Sequence, residues 1–181
     1  MHKVKQNLPF LQTRILHPHG TTPCTAKVKI KVLKNRWIFK IQTPQKWLAI
    51  PFGKSNDRRD FLWQSTCLEC FIFDRDSENY VEYNFSPNGA WALYAFDSYR
   101  KNAENPTAAA PKIIFKKTRH FQNARRGAWE FFEIHIIPKF SPPFENPQLH
   151  FCAVLKNKNG EIFYFAERHF KESPDFHYFP R

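Results

Sequence analysis

Six side chains between positions 63 and 100 have the chemistry needed to hold a polar, ring-shaped molecule. Aromatic planes can stack on a ring, while carboxylate, amide and guanidinium groups can hydrogen-bond its substituents. The stretch carries no recognisable nucleophile–base pair and no phosphate-binding loop, so it favours binding over reaction. The candidate ligand-binding residues are Trp63, Glu69, Glu82, Asn84, Trp91 and Arg100.

The polar candidates fall on predicted strands, where alternate residues share a face. Glu69 shares its face with Cys67 and Phe71, and a carboxylate between apolar neighbours is costly unless it has a partner. Either an internal salt bridge, for example to Arg100, or a ligand hydroxyl would satisfy it. Glu82 and Asn84 also share a face, which is either simply solvated or part of a polar cluster.

Tryptophans offer the stacking surfaces, although most tryptophans in proteins are core residues. Trp63 and Trp91 are the two candidates for contact with a ligand. The other three alternate with apolar strand positions, and we assign Trp37, Trp47 and Trp129 to the core.

Cys67 and Cys70 have C-x-x-C spacing but lie on a predicted strand. Residues three apart on a strand point to opposite faces, so their sulfurs diverge and no disulfide should form. A zinc site would need a second ligand pair, and the sequence has neither another C-x-x-C nor an H-x₃-H motif. We predict no metal site and no cofactor.

The whole chain shows the alternation and turn signals of an all-β protein. Its 181 residues include 20 phenylalanines and only 5 glycines, and aromatic residues suit a half-buried pleated surface. The segment 27–33 alternates lysines with Val28 and Ile30, as a half-buried antiparallel strand does. About ten short strands predict an antiparallel β-sandwich, jelly-roll-like, forming a single domain over residues 1–181.

Positive charge is concentrated outside the candidate site. The net charge is +12. Residues 1–60 carry 13 basic and 2 acidic residues, whereas residues 61–110 carry 3 and 7. An anionic polymer would be repelled by the acidic stretch, so we predict no nucleic-acid partner at the candidate site. Neither a signal sequence nor an apolar run of membrane-spanning length is present, which predicts a cytoplasmic protein with no membrane partner.

Two motifs resemble the DOMON-like family, whose members are similar to family-nine carbohydrate-binding modules. They are L-W-Q-S-T-C-L-E-C-F at 62–71 and Y-V-E-Y-N-F-S-P-N-G-A-W-A-L-Y-x-F-x-x-Y-R at 80–100, followed by a closing R-H…S-P-D-F-H at 168–177. The resemblance implies a sandwich with a ligand site on one face. It also implies that Trp63 and Glu69 grip a sugar, as a tryptophan and a glutamate do in the carbohydrate-binding relatives.

The closing motif adds four weaker candidates, which are Arg168, His169, Asp175 and His177. Other DOMON relatives bind haem through methionine and histidine. The single methionine of this chain is Met1, which argues against a Met-ligated haem.

Our leading hypothesis is therefore a non-catalytic protein that binds a small polar ligand, a sugar or sugar derivative, on one sheet face. The first alternative is an enzyme or enzyme subunit acting on cell-wall precursors, with Asp175 and His177 near its site. The second is a nucleic-acid-binding protein that uses the basic N-terminal third and loses affinity steeply with salt.

Overall fold

The computed structural model of the chain describes residues 11–20, 24–101, 106, 108–123, 127–139 and 144–180. Within these ranges the only helix is the three-residue 3-10 helix Leu62–Gln64. The prediction of an all-β protein with about ten strands is confirmed. The strands are β1 (Leu11–Pro18), β2 (Lys27–Leu33), β3 (Arg36–Pro44), β4 (Cys67–Asp74), β5 (Tyr80–Phe85), β6 (Trp91–Phe96), β7 (Lys112–Asn123), β8 (Gly127–Ile137), β9 (Pro147–Lys156) and β10 (Ile162–Ala166).

All ten strands belong to one antiparallel sheet, in the order β6-β5-β4-β9-β10-β1-β2-β3-β8-β7. The sheet is curled and its two halves share a core, so the antiparallel all-β prediction is confirmed, whereas the finer prediction of a jelly-roll-like sandwich is not. Trp37 of β3 packs edge-on against Phe85 of β5 and Phe151 of β9, with ring centroids 6.0 and 5.1 Å apart. Aromatic contacts of this kind join the two halves.

Strand β1 joins the two halves through hydrogen bonds and was not predicted from the sequence. It pairs with β2 through Leu11–Leu16 and with β10 through His17 and Pro18. Its sequence does not alternate apolar with polar residues, because the adjacent apolar residues Ile15 and Leu16 lie on opposite faces, at 54% and 2% exposure. This strand is therefore held by its hydrogen bonds to β2 and β10 rather than by an apolar face.

Both faces of β4 are buried. Leu68, Cys70 and Ile72 enter the main core, whereas Cys67 and Phe71 belong to a second apolar cluster on the other side. The two cysteines thus point to opposite faces, as predicted from their spacing. We call the side of Cys67 the outer face of β4, β5, β6 and β9.

The C-terminal segment 167–180 contains no strand and covers part of the outer face. Its Phe176 is 8% exposed and packs into the second apolar cluster. The loop that carries Trp63 lies on the same side, because the Trp63 ring packs against Tyr94 of β6. The outer face is therefore enclosed by two irregular segments, which leave a pocket between them.

The turn between β5 and β6 sets which residues share that face. Gly89 has a φ of 100° and donates its N–H to the Ser86 carbonyl at 2.9 Å. Any side chain there would meet the backbone carbonyl of Ser55. With this turn, Glu82 pairs with Tyr94 and Phe85 pairs with Trp91.

The lysines of β2 form a solvated face, as the alternation predicted. Lys27 and Lys29 are exposed, while Val28 and Ile30 between them are buried. Among the residues that the structure describes, no helix has the length and apolar character to cross a bilayer.

Candidate functional site

A pocket of about 440 Å³ opens on the outer face, and we call it the outer-face pocket. Glu69 of β4 and Glu82 of β5 form its floor. Arg100 and His177 lie at its polar side. Its walls are mainly aromatic, and they are formed by Trp63, Phe71, Tyr94, Phe96, Tyr164 and Phe176 together with Val154 and Pro174.

The two floor carboxyls are buried. Glu69 is 2% exposed and Glu82 is 4% exposed, and Asn84 beside them is fully buried. The interpretation of Glu82 and Asn84 as a solvated strand face is therefore wrong, and the polar cluster is the correct one. Glu69 lies directly across the β4–β5 ladder from Asn84.

Asn84 fixes the orientation of Glu82. Its Nδ2 donates to Glu82 Oε1 at 2.7 Å, and its Oδ1 accepts a contact from the Cys67 thiol at 3.4 Å. Burial raises the pKa of Glu82 to about 7, against the opposing effects of the Asn84 hydrogen bond and of Arg100. The Asn84 amide therefore fixes the position of the Glu82 carboxyl, and this carboxyl gains or loses its proton near pH 7.

Glu69 has no such support. Within the described ranges, no side chain or backbone group forms a hydrogen bond or ion pair with its carboxyl. Burial raises the pKa of Glu69 well above its usual value, and the nearby Glu82 raises it further. The proposed salt bridge between Glu69 and Arg100 is not formed, so the ligand-acceptor alternative is the one left open.

His177 sits between Tyr80 and Glu82. Its Nδ1 lies 2.8 Å from the Tyr80 hydroxyl, which also accepts the Arg100 backbone N–H at 3.0 Å. Burial, followed by the charge of Arg100, lowers the pKa of His177 to about 4. If Tyr80 donates its proton to Nδ1, the neutral ring carries its own proton on Nε2, which lies 3.6 Å from Glu82 Oε2.

Asp175 anchors the C-terminal segment at the edge of the pocket. Its carboxylate accepts hydrogen bonds from Tyr99 at 2.6 Å, Arg100 at 3.1 Å and Lys171 at 2.8 Å. Burial opposes its ionisation, but the hydrogen bonds from Lys171, Tyr99 and Arg100 lower the pKa of Asp175 to about 2. Asp175 and His177 therefore have different hydrogen-bonding partners.

Trp63 is the exposed aromatic of the pocket. Its side chain is 37% exposed, and its ring packs edge-on against Tyr94 at 5.9 Å. The Tyr94 hydroxyl donates to Asp60 at 2.7 Å, and Asp60 also pairs with Arg58 at 3.0 Å. These contacts fix the Tyr94 ring beside Trp63, whose own ring is exposed enough for a ligand to contact it.

Trp91 does not lie in the pocket, contrary to the expectation from sequence. It is 6% exposed and belongs to the main core, where its indole N–H donates to the Asn56 carbonyl at 3.3 Å. The reason is register, because Trp91 pairs with Phe85, whose side chain faces the core. Tyr94, three residues further on, takes the position beside Glu82.

Two residues of the closing motif also lie elsewhere. Arg168 lines a different cavity of about 500 Å³, together with Arg14 and Glu167. His169 hydrogen-bonds the His17 carbonyl at 2.8 Å and packs edge-on against His19. The motif therefore contributes Asp175 and His177 to the surroundings of the pocket, but not Arg168 or His169.

Most of the aromatic walls were missed in the sequence. Tyr94 and Phe96 could have been found from their i, i+2 spacing together with the register set by the Ser86–Gly89 turn. Tyr164 and Phe176 carry no such signal, since they reach the pocket only through tertiary packing. Phe71 was noted as a face neighbour of Glu69 but not as a contact surface.

The arrangement suits polar ligand binding better than metal binding. In the described part of the chain, no group of three or more His, Cys, Asp or Glu side chains is placed to hold a metal ion. The pocket presents hydrogen-bonding groups at its floor and rings at its walls, as small-molecule sites do.

Comparison with known proteins supports the fold. No family model matches this chain, and no curated protein does. Among solved structures, the chain is similar to the crystal structure of a putative carbohydrate-binding protein from Bacteroides uniformis, with a TM-score of 0.56 and 9% sequence identity. The match covers 92% of this chain and 82% of the other. At this identity the likeness establishes a shared all-β fold.

Proposed function

We propose that the outer-face pocket binds a carbohydrate without transforming it. The observation that carries the proposal is the partly exposed Trp63 ring beside Glu69, a buried carboxyl with no partner among the described residues. A sugar offers an apolar ring face for stacking and hydroxyls for the carboxyl. The carbohydrate-binding description of a structural neighbour agrees with this proposal.

The two carboxyls can play complementary parts toward hydroxyl groups. A protonated Glu69 donates one hydrogen bond, whereas Glu82, held by Asn84, accepts one when ionised. Arg100 keeps a further donor capacity beyond its bond to Asp175, because a guanidinium carries five N–H groups. Donors and acceptors in one pocket match a polyhydroxyl ligand.

Titration calorimetry with a panel of neutral monosaccharides and oligosaccharides tests the proposal. Stacking on one ring contributes roughly 0.5–2 kcal/mol, so a few hydrogen bonds and one ring support micromolar-to-millimolar binding. Trp63→Ala should weaken binding by roughly 2- to 30-fold. Phe52→Ala is the matched control, since Phe52 is a fully exposed aromatic that does not line the pocket.

The outcome that contradicts the proposal is equally concrete. If no sugar binds, and the protein retains nucleic acid only at low salt, the exposed lysines of β2 take over as the functional surface. If Trp63→Ala and Phe52→Ala bind sugar as well as the parent does, the sugar occupies a different site.

A sugar-cleaving enzyme is the second candidate. Glycoside hydrolysis uses two carboxyl groups, one of them kept protonated by its surroundings. The raised pKa values of Glu69 and Glu82 meet that chemical requirement. Incubating the protein with oligosaccharides and measuring new reducing ends separates the two candidates. Release that Glu69→Gln and Glu82→Gln both abolish would favour the enzyme.

A further inference from the structure

The acidic floor of the outer-face pocket has no full cationic partner. Glu69 has no bonding partner within the described ranges, and Glu82 is bound by the neutral amide of Asn84. Arg100, the one arginine lining the pocket, directs its guanidinium to Asp175 at 3.1 Å. The Glu69 carboxyl at the floor is therefore available to form an ion pair with a ligand.

The walls of the pocket favour the same kind of ligand. Aromatic faces attract cations through their ring quadrupoles, most strongly at tryptophan. Trp63 presents such a ring beside the acidic floor, whereas the Tyr94 ring already has the Arg58 guanidinium 5.3 Å from its centroid. A carboxylate or phosphate on the ligand would instead be repelled by Glu69 or Glu82 whenever either carboxyl is ionised.

We propose that the ligand carries a protonated amine that forms an ion pair with Glu69, and that its class is an amino sugar. This inference rests on the proposed carbohydrate-binding function and specifies its ligand. The ammonium group meets the Glu69 carboxylate, while the sugar ring packs on Trp63 and its hydroxyls use Glu82.

Formation of this ion pair releases a proton. The bound complex contains the Glu69 carboxylate and the ligand ammonium, so the proton of a neutral Glu69 passes to solvent. Burial and the nearby Glu82 raise the pKa of Glu69, which favours the neutral form before binding. The other titratable groups facing this position are Glu82, Cys67, Cys152, Tyr94, Tyr164, Arg100 and His177. Burial raises the pKa of the two thiols and of Tyr94. Burial also raises the pKa of Glu82 to about 7, so Glu82 can contribute to the same release.

Calorimetry with glucosamine, glucose and N-acetylglucosamine tests the inference on the unaltered protein. Each titration is run near pH 6 in two buffers with different heats of ionisation, which gives the number of protons released. Glucosamine should bind roughly ten- to hundred-fold more tightly than the two neutral sugars, since hydrogen bonds to charged groups are the stronger ones. It alone should release protons.

A substitution then assigns the effect to one side chain. Glu69→Gln should abolish the preference for glucosamine and reduce its proton release, while neutral sugars still bind. Glu172→Gln, an exposed acid outside the pocket, should change neither. A thermal melt of each variant shows that it is folded, and the comparison of sugars on the parent protein does not depend on any variant.

Each result has one meaning. If no sugar binds, both this inference and the proposed function are wrong. If neutral sugars bind as tightly as glucosamine, or if Glu69→Gln retains the preference, the amine inference is overturned and the carbohydrate proposal stands.

Discussion

Asn84 Nδ2 lies 2.7 Å from Glu82 Oε1, and this bond distinguishes the two buried carboxyls of the outer-face pocket. Glu82 is oriented and partly satisfied by it, whereas Glu69 has no bonding partner in the described part of the chain. The protein therefore holds one carboxyl in place and leaves the other dependent on a ligand or a proton.

This difference predicts that replacing each of the two glutamates by leucine changes the stability of the protein in opposite directions. Glu69→Leu replaces a carboxyl that lies at the buried floor of the pocket without a hydrogen-bond partner in the described part of the chain, and it should stabilise the protein by about 1–3 kcal/mol. Glu82→Leu leaves the Asn84 amide buried without its acceptor and should destabilise by about 1–3 kcal/mol. Urea unfolding of both variants measures the free energies. Shifts of the same sign would contradict the assigned roles.

The two tryptophans that looked equivalent in sequence should behave differently. Trp91 is enclosed in the main core, so Trp91→Ala should cost about 3–5 kcal/mol of stability. Trp63 is partly exposed, and Trp63→Ala should cost about 1–2 kcal/mol while weakening sugar binding. Thermal melting and calorimetry on the same samples give both readings. A large stability loss at Trp63 would show that its ring is structural.

The raised pKa of Glu82 predicts a pH dependence of stability. Its pKa rises from 4.5 to about 7 on folding, so the folded state binds the proton more tightly. Stability from this group is present below pH ~4.5 and is lost as pH rises through about 7, by up to about 3 kcal/mol. The lowered pKa of His177, about 4, acts in the opposite sense between pH 4 and 6.5.

The contribution of Glu82 to the pH dependence of stability is obtained by subtracting the values of a Glu82→Gln variant from those of the parent protein. Unfolding free energies of the parent and of Glu82→Gln are measured from pH 4 to 8. Relative to the variant, the parent should lose stability as pH rises. A difference that is constant with pH would mean that folding leaves the pKa of Glu82 unchanged.

The anchor at Asp175 predicts that removing its charge lowers the free energy of unfolding in a pH-dependent way, which urea unfolding at several pH values measures. Asp175→Asn weakens the bonds from Arg100 and Lys171 and should cost about 1–2 kcal/mol at neutral pH. Because its pKa is lowered to about 2, this contribution disappears as pH falls from about 4 toward 2. Asp57→Asn is the control, since Asp57 is 75% exposed and its pair with Arg59 spans 3.9 Å.

Strands with clean alternation could be predicted from sequence, because their buried faces repeat every two residues. The bounds predicted for β2, residues 27–33, agree with the structure. Strand β1 could not be predicted, because Arg14 bonds Glu167 and Ile15 is exposed, which breaks the pattern. Its position depends on pairing with β2, the next strand, and with β10, which is distant in sequence.

The candidate site was partly predictable for a similar reason. Glu69, Glu82 and Asn84 converge because neighbouring strands place them on one face, and Arg100 follows closely in sequence. Trp91 was placed wrongly because face assignment on β6 needs the register of the preceding turn. Phe176 and Tyr164 could not be predicted, because no alternation in the sequence indicates that their segments pack against the site.

The C-terminal segment 167–180 covers the pocket without adding a strand to the sheet. Segments outside a hydrogen-bonded ladder open at a lower free energy than the strands beneath them. The floor and this wall of the pocket should therefore differ in amide hydrogen exchange, slow in β4 and β5 and faster in 172–178. A bound ligand that touches both would slow exchange in the wall alone, so the same experiment would report occupancy and its location.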